Sequence, residues 1–177
     1  SGEEKFVSLA DTNGDLTGRI QTSVDGINWT LIGGNTVANI QSWQSVVWGD
    51  ADELWVGVGI TGGSVGDGNC VMRSPDGITW TVGASINNEP EWMSVAYGNG
   101  RYVAVGMSDD VNKAKVMYSD DGINWTLLDK DSTYMNWISV TYGDGKFVAL
   151  TKEKNGVGQV SVAVSRNGEN WTHYSTV

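Results

Sequence analysis

Three aspartates stand in the same surroundings. Asp25, Asp76 and Asp121 each lie two positions after a serine, one before a glycine and four before a tryptophan, and Asn167 takes that place in a fourth copy. The octapeptides read SVDGINWT at 23–30, SPDGITWT at 74–81, SDDGINWT at 119–126 and SRNGENWT at 165–172. A carboxylate so placed can bind a cation, or it can accept the backbone N–H groups of its own turn while the glycine adopts φ > 0. The turn is the expected role, because each acid has its turn to satisfy first.

Other candidates for chemistry are scattered. Asp11-x-Asn13-x-Asp15 has the spacing with which calcium loops begin, but Leu16 stands where the loop needs glycine and Thr22 where it needs glutamate. An ordinary turn is expected there, with calcium the minor alternative and no other cofactor. Glu53, Glu89, Glu91 and Glu153 lie outside the octapeptides and read as solvated loop or linker charge rather than a facing acid pair. His173 is the sole histidine, expected to be an exposed terminal side chain rather than a metal ligand because no cysteine or second histidine stands with it, and one histidine with no Gly-x-Ser-x-Gly elbow makes a serine triad implausible. Cys70 is the sole cysteine, so neither an intrachain disulfide nor a cysteine metal cluster can form. Asn28, Asn124 and Asn170 open formal glycosylation sequons, yet they fall inside the octapeptides, so coincidence explains them, and Asn28 and Asn124 are expected to serve the turn.

The elements that must hold these residues follow from a second recurring phrase. Trp-x-Ser-Val-x-aromatic-Gly occurs at 43–49, 92–98 and 137–143. A repeat of this length marks an array of small sheet units such as propeller blades. Each later unit reads as four short strands: in the third, Trp92 to Tyr97, Arg101 to Gly106, Ala114 to Tyr118, and a short strand carrying Trp125. Asn99-Gly100 signals a two-residue hairpin, and the second unit lengthens that hairpin at Asp50–Glu53. Residues 5–9 match Lys146 to Leu150, so the first unit is expected to lack its first strand. The expected fold is all-β, a single propeller domain over 1–177 of about four four-stranded blades, the first incomplete, with repeats near 1–36, 37–86, 87–131 and 132–177 and almost no helix. Strand alternation is expected to place Trp43/Trp92/Trp137 and Trp48/Tyr97/Tyr142 on opposite faces, both as core. The chain is expected to be a section of a larger propeller or to be completed by another chain.

Composition sets further bounds. The net charge of −10, with 11 basic residues, argues against nucleic acid. No run of about 18 apolar residues occurs, so no membrane insertion by a helix is expected.

The octapeptides resemble the Asp-box, or bacterial neuraminidase repeat, of sialidases and many non-enzymatic β-propellers. They depart from it by one residue fewer between acid and tryptophan and by Asn167. The resemblance implies a structural turn at the blade periphery, between third and fourth strands, made by Ser23, Asp25, Gly26, Trp29, Ser74, Asp76, Gly77, Trp80, Ser119, Asp121, Gly122, Trp125, Ser165, Asn167, Gly168 and Trp171. Sialidase chemistry in that family needs three arginines on the substrate carboxylate, but Arg19, Arg73, Arg101 and Arg166 do not stand in equivalent inner positions. The expectation is therefore no catalytic residue and no metal. The repeat style also resembles bacterial surface and phage tail or fibre proteins, which implies a non-catalytic binding or assembly module outside the cell, on a cell surface or on a virion. Its partner would be a protein or a surface glycan. A lectin is the alternative, and a sialidase-like hydrolase the lesser one.

Overall fold

The computed structural model describes residues 5–9, 20–32, 42–60, 70–83, 91–107, 116–128, 136–151 and 160–175. The segment 11–15 lies outside them, as do Arg19, Glu89 and Glu153.

Fifteen strands and no helix occur among the described residues. Blade one holds β1 (Phe6–Leu9), β2 (Ile20–Ser23) and β3 (Thr30–Leu31). Blade two holds β4 (Ser42–Gly49), β5 (Leu54–Ile60), β6 (Val71–Ser74) and β7 (Thr81–Val82). Blade three follows with β8 (Glu91–Gly98), β9 (Arg101–Met107), β10 (Val116–Ser119) and β11 (Thr126–Leu127). Blade four ends with β12 (Trp137–Gly143), β13 (Lys146–Thr151), β14 (Ser161–Ser165) and β15 (Thr172–Ser175). Every blade is an antiparallel meander of sequence neighbours, so blade one is three-stranded with β1 at its edge.

Local chemistry sets the hairpins. Asn99-Gly100 and Asp144-Gly145 both have φ > 0 at both positions, the turn whose twist matches that of the strands it joins. In blade two Gly49 pairs with Leu54, giving the four-residue loop 50–53. The short outer strands begin after the octapeptide tryptophans rather than carrying them, because the turn holds those residues out of the ladder.

The first strand of blades two, three and four carries a register shift at one place, between Trp43/Ser45, Trp92/Ser94 and Trp137/Ser139. An extra residue there reverses the alternation. Trp92 and Tyr97 therefore pack into one cluster, and Trp137 and Tyr142 into the next, which corrects the expectation of opposite faces. The serine is sent the other way, toward the following blade.

The core lies between blades. One cluster joins Ile20 of blade one to Trp43, Met72 and Trp80 of blade two. A second joins Val56, Val58, Cys70 and Val71 to Trp92, Val95 and Tyr102. The third joins Val103, Val105 and Val116 to Trp137, Val140 and Phe147. Among the described residues no such cluster joins blade four to blade one.

Candidate functional site

The octapeptide acids are committed to their turns. Ser23, Ser74 and Ser119 donate through Oγ to Oδ1 of Asp25, Asp76 and Asp121, each at 2.9 Å. The same Oδ1 atoms accept two backbone N–H groups: Ile27 and Asn28 at 2.8 and 2.7 Å, Ile78 and Thr79 at 2.8 and 2.6 Å, Ile123 and Asn124 at 2.8 and 2.7 Å. Neutral Asn167 makes the equivalent bonds to Glu169 and Asn170 at 3.1 and 3.0 Å. Charge-assisted bonds are the shorter ones. Asn28 and Asn124 spend their side-chain amides on the other carboxylate oxygen, at 2.7 Å each. The following glycines, Gly26, Gly77, Gly122 and Gly168, all have φ between 67 and 75°.

Such donors favour the ionised acid. The N–H of Asn28 leads in holding Asp25 well below the usual carboxylate range. For Asp76 and Asp121 burial is the largest single influence and pushes upward. The N–H groups of Thr79 and Ile78, and of Asn124 and Ile123, together with the serines, outweigh it and bring both to about 2.

The indoles divide by neighbour. Trp29, Trp80 and Trp171 donate through Nε1 to the carbonyls of Gly26, Gly77 and Gly168 at 3.2, 3.0 and 3.0 Å. Trp125 instead lies 6.4 Å from the Tyr102 ring. Trp80, Trp125 and Trp171 all pack into clusters with the preceding blade. Trp29, in blade one, is 41% exposed.

Between blades the same small set of contacts recurs. The serine after the bulge meets the backbone of the next blade: Val95 N–H donates to Ser45 Oγ at 3.2 Å and Val140 N–H to Ser94 Oγ at 3.1 Å. The glycine ending the first strand is a seat for the next blade's tyrosines. A Cβ on Gly49 would fall 1.9 Å from Tyr102 Oη, and one on Gly98 2.1 Å from Tyr142 Cγ. The second-strand valines Val7, Val56 and Val103 receive the turn glycines Gly77, Gly122 and Gly168. Finally, Lys5 Nζ donates to Asp76 O at 2.9 Å, and Arg101 Nη1 to Asn167 O at 2.7 Å. Arg101 also forks onto Asp120, reaches Glu169 and lies 4.4 Å over the Tyr118 ring. It is a bridge between blades. The serine, glycine and basic residue were present in the recurring phrases, but their roles depend on a bulge and a neighbouring sheet.

Blade four presents the same set with no neighbouring blade on it among the described residues. Ser139, Thr141, Gly143 and Leu150 are exposed, Val148 is half-buried, and a Cβ on Gly143 would meet nothing within 4 Å. Lys146 turns back to Asp144 at 3.2 Å. Beside it a groove of about 450 Å³ is lined by Lys146, Arg166, Asn167, Asn170, Thr172 and Tyr174 among others.

The remaining candidates are not gathered into one place. Glu91 begins β8 rather than lying in a linker, Glu53 sits in the first hairpin of blade two, and Arg73 lies on β6. His173 is half-buried, its ring 5.7 Å from that of Trp137, which corrects the expected exposed end; β15 pairs with β14 and carries it onto the sheet. Trp48 is 36% exposed, correcting its assignment to the core, because among the described residues blade one has no strand that covers it. Among the described residues no group of three or more His, Cys, Asp or Glu could hold a metal ion.

No family model and no curated protein matches the sequence. Solved structures do resemble the chain. The Niastella koreensis GH74 enzyme superposes with a TM-score of 0.68 at 18% identity, over 99% of this chain and 28% of that one. YCF48 bound to D1 peptide gives a TM-score of 0.49 at 15% identity, over 86% of this chain and 45% of that one. The fold is a β-propeller. The chain thus spans less than a third of the length of the GH74 enzyme, and a likeness at 18% identity carries fold and no chemistry. In this propeller the repeated polar residues are those of turns and blade junctions.

Proposed function

We propose that the chain is a non-catalytic β-propeller module for binding and assembly, working against another polypeptide on a virion, such as a phage tail or fibre, or on a bacterial surface. The resemblance of its octapeptides to the Asp-box and of its repeats to such surface proteins supports the setting. One observation carries the role: Ser139, Gly143, Lys146 and Val148 repeat, on the side of blade four that no described blade covers, the set that holds the internal junctions together. The carboxylates of Asp120 and Glu169 both converge on Arg101 and are spent on it.

The test combines solution mass with an assay on a glycoside panel. Association beyond the 19.0 kDa chain, abolished by Val148→Lys with the fold intact by circular dichroism, is expected, and no turnover. Hydrolysis lost on replacing a carboxylate would reject the reading, as would a monomer at every concentration.

A lectin is the second reading. The groove beside Lys146 combines two cations, two amides and the exposed ring of Tyr174, a set suited to an acidic sugar. Binding on a glycan array that disappears in Lys146→Ala and Tyr174→Ala would favour it over the first.

A further inference from the structure

We infer that the free edge of β1, beside β4, is an acceptor for an extended polypeptide segment of the pattern Ser-x-apolar-x-Gly, which completes blade one by strand addition. The inference deepens the assembly reading above by naming a partner chemistry, and it concerns a different face from the groove of blade four.

The argument starts from equivalence. In blades two, three and four the second strand is covered by a first strand, β4 on β5, β8 on β9 and β12 on β13. In blade one the strand equivalent to those second strands is β1, and among the described residues nothing pairs with its inner edge. Its residues are exposed or half-buried, whereas Tyr102 to Gly106 on β9 are all buried. An unpaired edge of this kind is a template for backbone pairing.

The neighbouring blade defines which side chains fit. Tyr97 and Tyr102, with centroids 4.5 Å apart, belong to the blade that packs on Gly49; Tyr142 and Phe147, 4.8 Å apart, belong to the blade that packs on Gly98. Trp48 and Trp55 form the corresponding pair at 5.2 Å and a similar tilt, but Trp48 is left exposed. A glycine is the residue that fits under such a pair. Val46 corresponds to Val95 and Val140, whose N–H groups each donate to a serine of the preceding first strand. Among the described residues no serine hydroxyl reaches Val46. Between serine and glycine, the middle position is filled by Ala96 in blade three, buried against blade four, so a small apolar residue belongs there.

The register is fixed by the same equivalence. In blade three Gly98 pairs with Arg101, Tyr97 with Tyr102, Ala96 with Val103 and Val95 with Ala104. Transferred to blade one, the incoming glycine lies opposite Lys5, the apolar residue opposite Val7, and the segment runs antiparallel to β1.

The probe is a peptide with the sequence of Glu91–Gly98, EWMSVAYG, titrated into the chain by calorimetry, with hydrogen exchange read at Phe6–Leu9. Saturable one-to-one binding and new protection of those amides are expected. Replacing the peptide's glycine by valine should weaken binding about tenfold or more, since its side chain has no room beneath the indoles. Alanine for its serine should cost a smaller factor, and Trp48→Ala in the protein, a half-open position, should remove most of the difference between the glycine and valine peptides. No binding, or equal binding of both peptides, would overturn the inference. So would a stable dimer in which Phe6–Leu9 are already protected and remain so when the peptide is added. Loss of peptide binding with the Val148-dependent association retained would reject the strand acceptor and leave the assembly reading standing.

Discussion

Blades three and four share a plan and differ in surroundings. Each has the Trp-x-Ser-Val-x-Tyr-Gly strand, the tight hairpin and the octapeptide turn. Blade three is enclosed on both sides: Tyr102 is buried against Gly49 of blade two, while toward blade four Val103 on its second strand is fully buried and Gly98 lies against Tyr142. On blade four the equivalent Val148 is half-buried, Gly143 faces open space, and Ile138, Ser139 and Thr141 are exposed. The chemistry of the strand is the same. Each blade carries half a junction on each face, and a half junction contributes burial only when its complement is present.

The largest test of this difference replaces anchoring indoles. Trp92 is fully buried between blades two and three, so Trp92→Ala should cost about 3–5 kcal/mol in a urea titration. Trp29, 41% exposed with one bond to Gly26 O, should cost about 1 kcal/mol or less as Trp29→Ala. Similar losses at both sites would mean that a complement covers blade one in solution.

Next in size is a steric contrast at the seats. Gly98→Val drives a side chain into the Tyr142 ring and should cost about 1–3 kcal/mol. Gly143→Val meets nothing within 4 Å and should change the denaturation midpoint by no more than about 0.5 kcal/mol equivalent. A large effect at Gly143 would break the comparison. A smaller contrast follows at the serines. Ser94→Ala removes the acceptor of Val140 N–H and should cost about 1 kcal/mol, while Ser139→Ala should be near neutral.

How far the sequence carries can be argued from these positions. Recurrence of the octapeptide and of the Trp-x-Ser-Val phrase makes the sheet units legible, because a repeat states its own boundaries. The one-residue bulge after Trp43, Trp92 and Trp137 was not legible: alternation places Trp92 and Tyr97 on opposite faces, and a single extra residue brings both toward the preceding blade. Arg101 shows the same limit for the site. Its type suggests anion recognition, but its partners are an acid nineteen residues away and a turn in the next blade, which only tertiary structure brings together. The exposure of Trp48 likewise depends on its neighbour, where the described residues form three strands rather than four, and leaves no mark in its own surroundings.

The smallest expected effect compares the third turn with the fourth. Asp121 is held at about 2, below the ordinary 3.8, so the folded turn takes up a proton less readily than the unfolded chain. Its contribution is therefore complete above pH 3.8 and is lost as pH falls toward 2. Asn167 accepts the equivalent N–H groups without titrating in this range. Exchange protection at Ile123 and Asn124, corrected for intrinsic rates, should fall between pH 4 and 2, while that at Glu169 and Asn170 stays level. Because the aspartate turn is open to solvent, salt and water screen the effect, and it should appear locally rather than as global unfolding. Asn167→Asp should confer acid sensitivity on the fourth turn. Equal pH dependence at both turns before that substitution would show that the difference between their acceptors has no energetic weight, and that the shorter bonds of the aspartate are geometry alone.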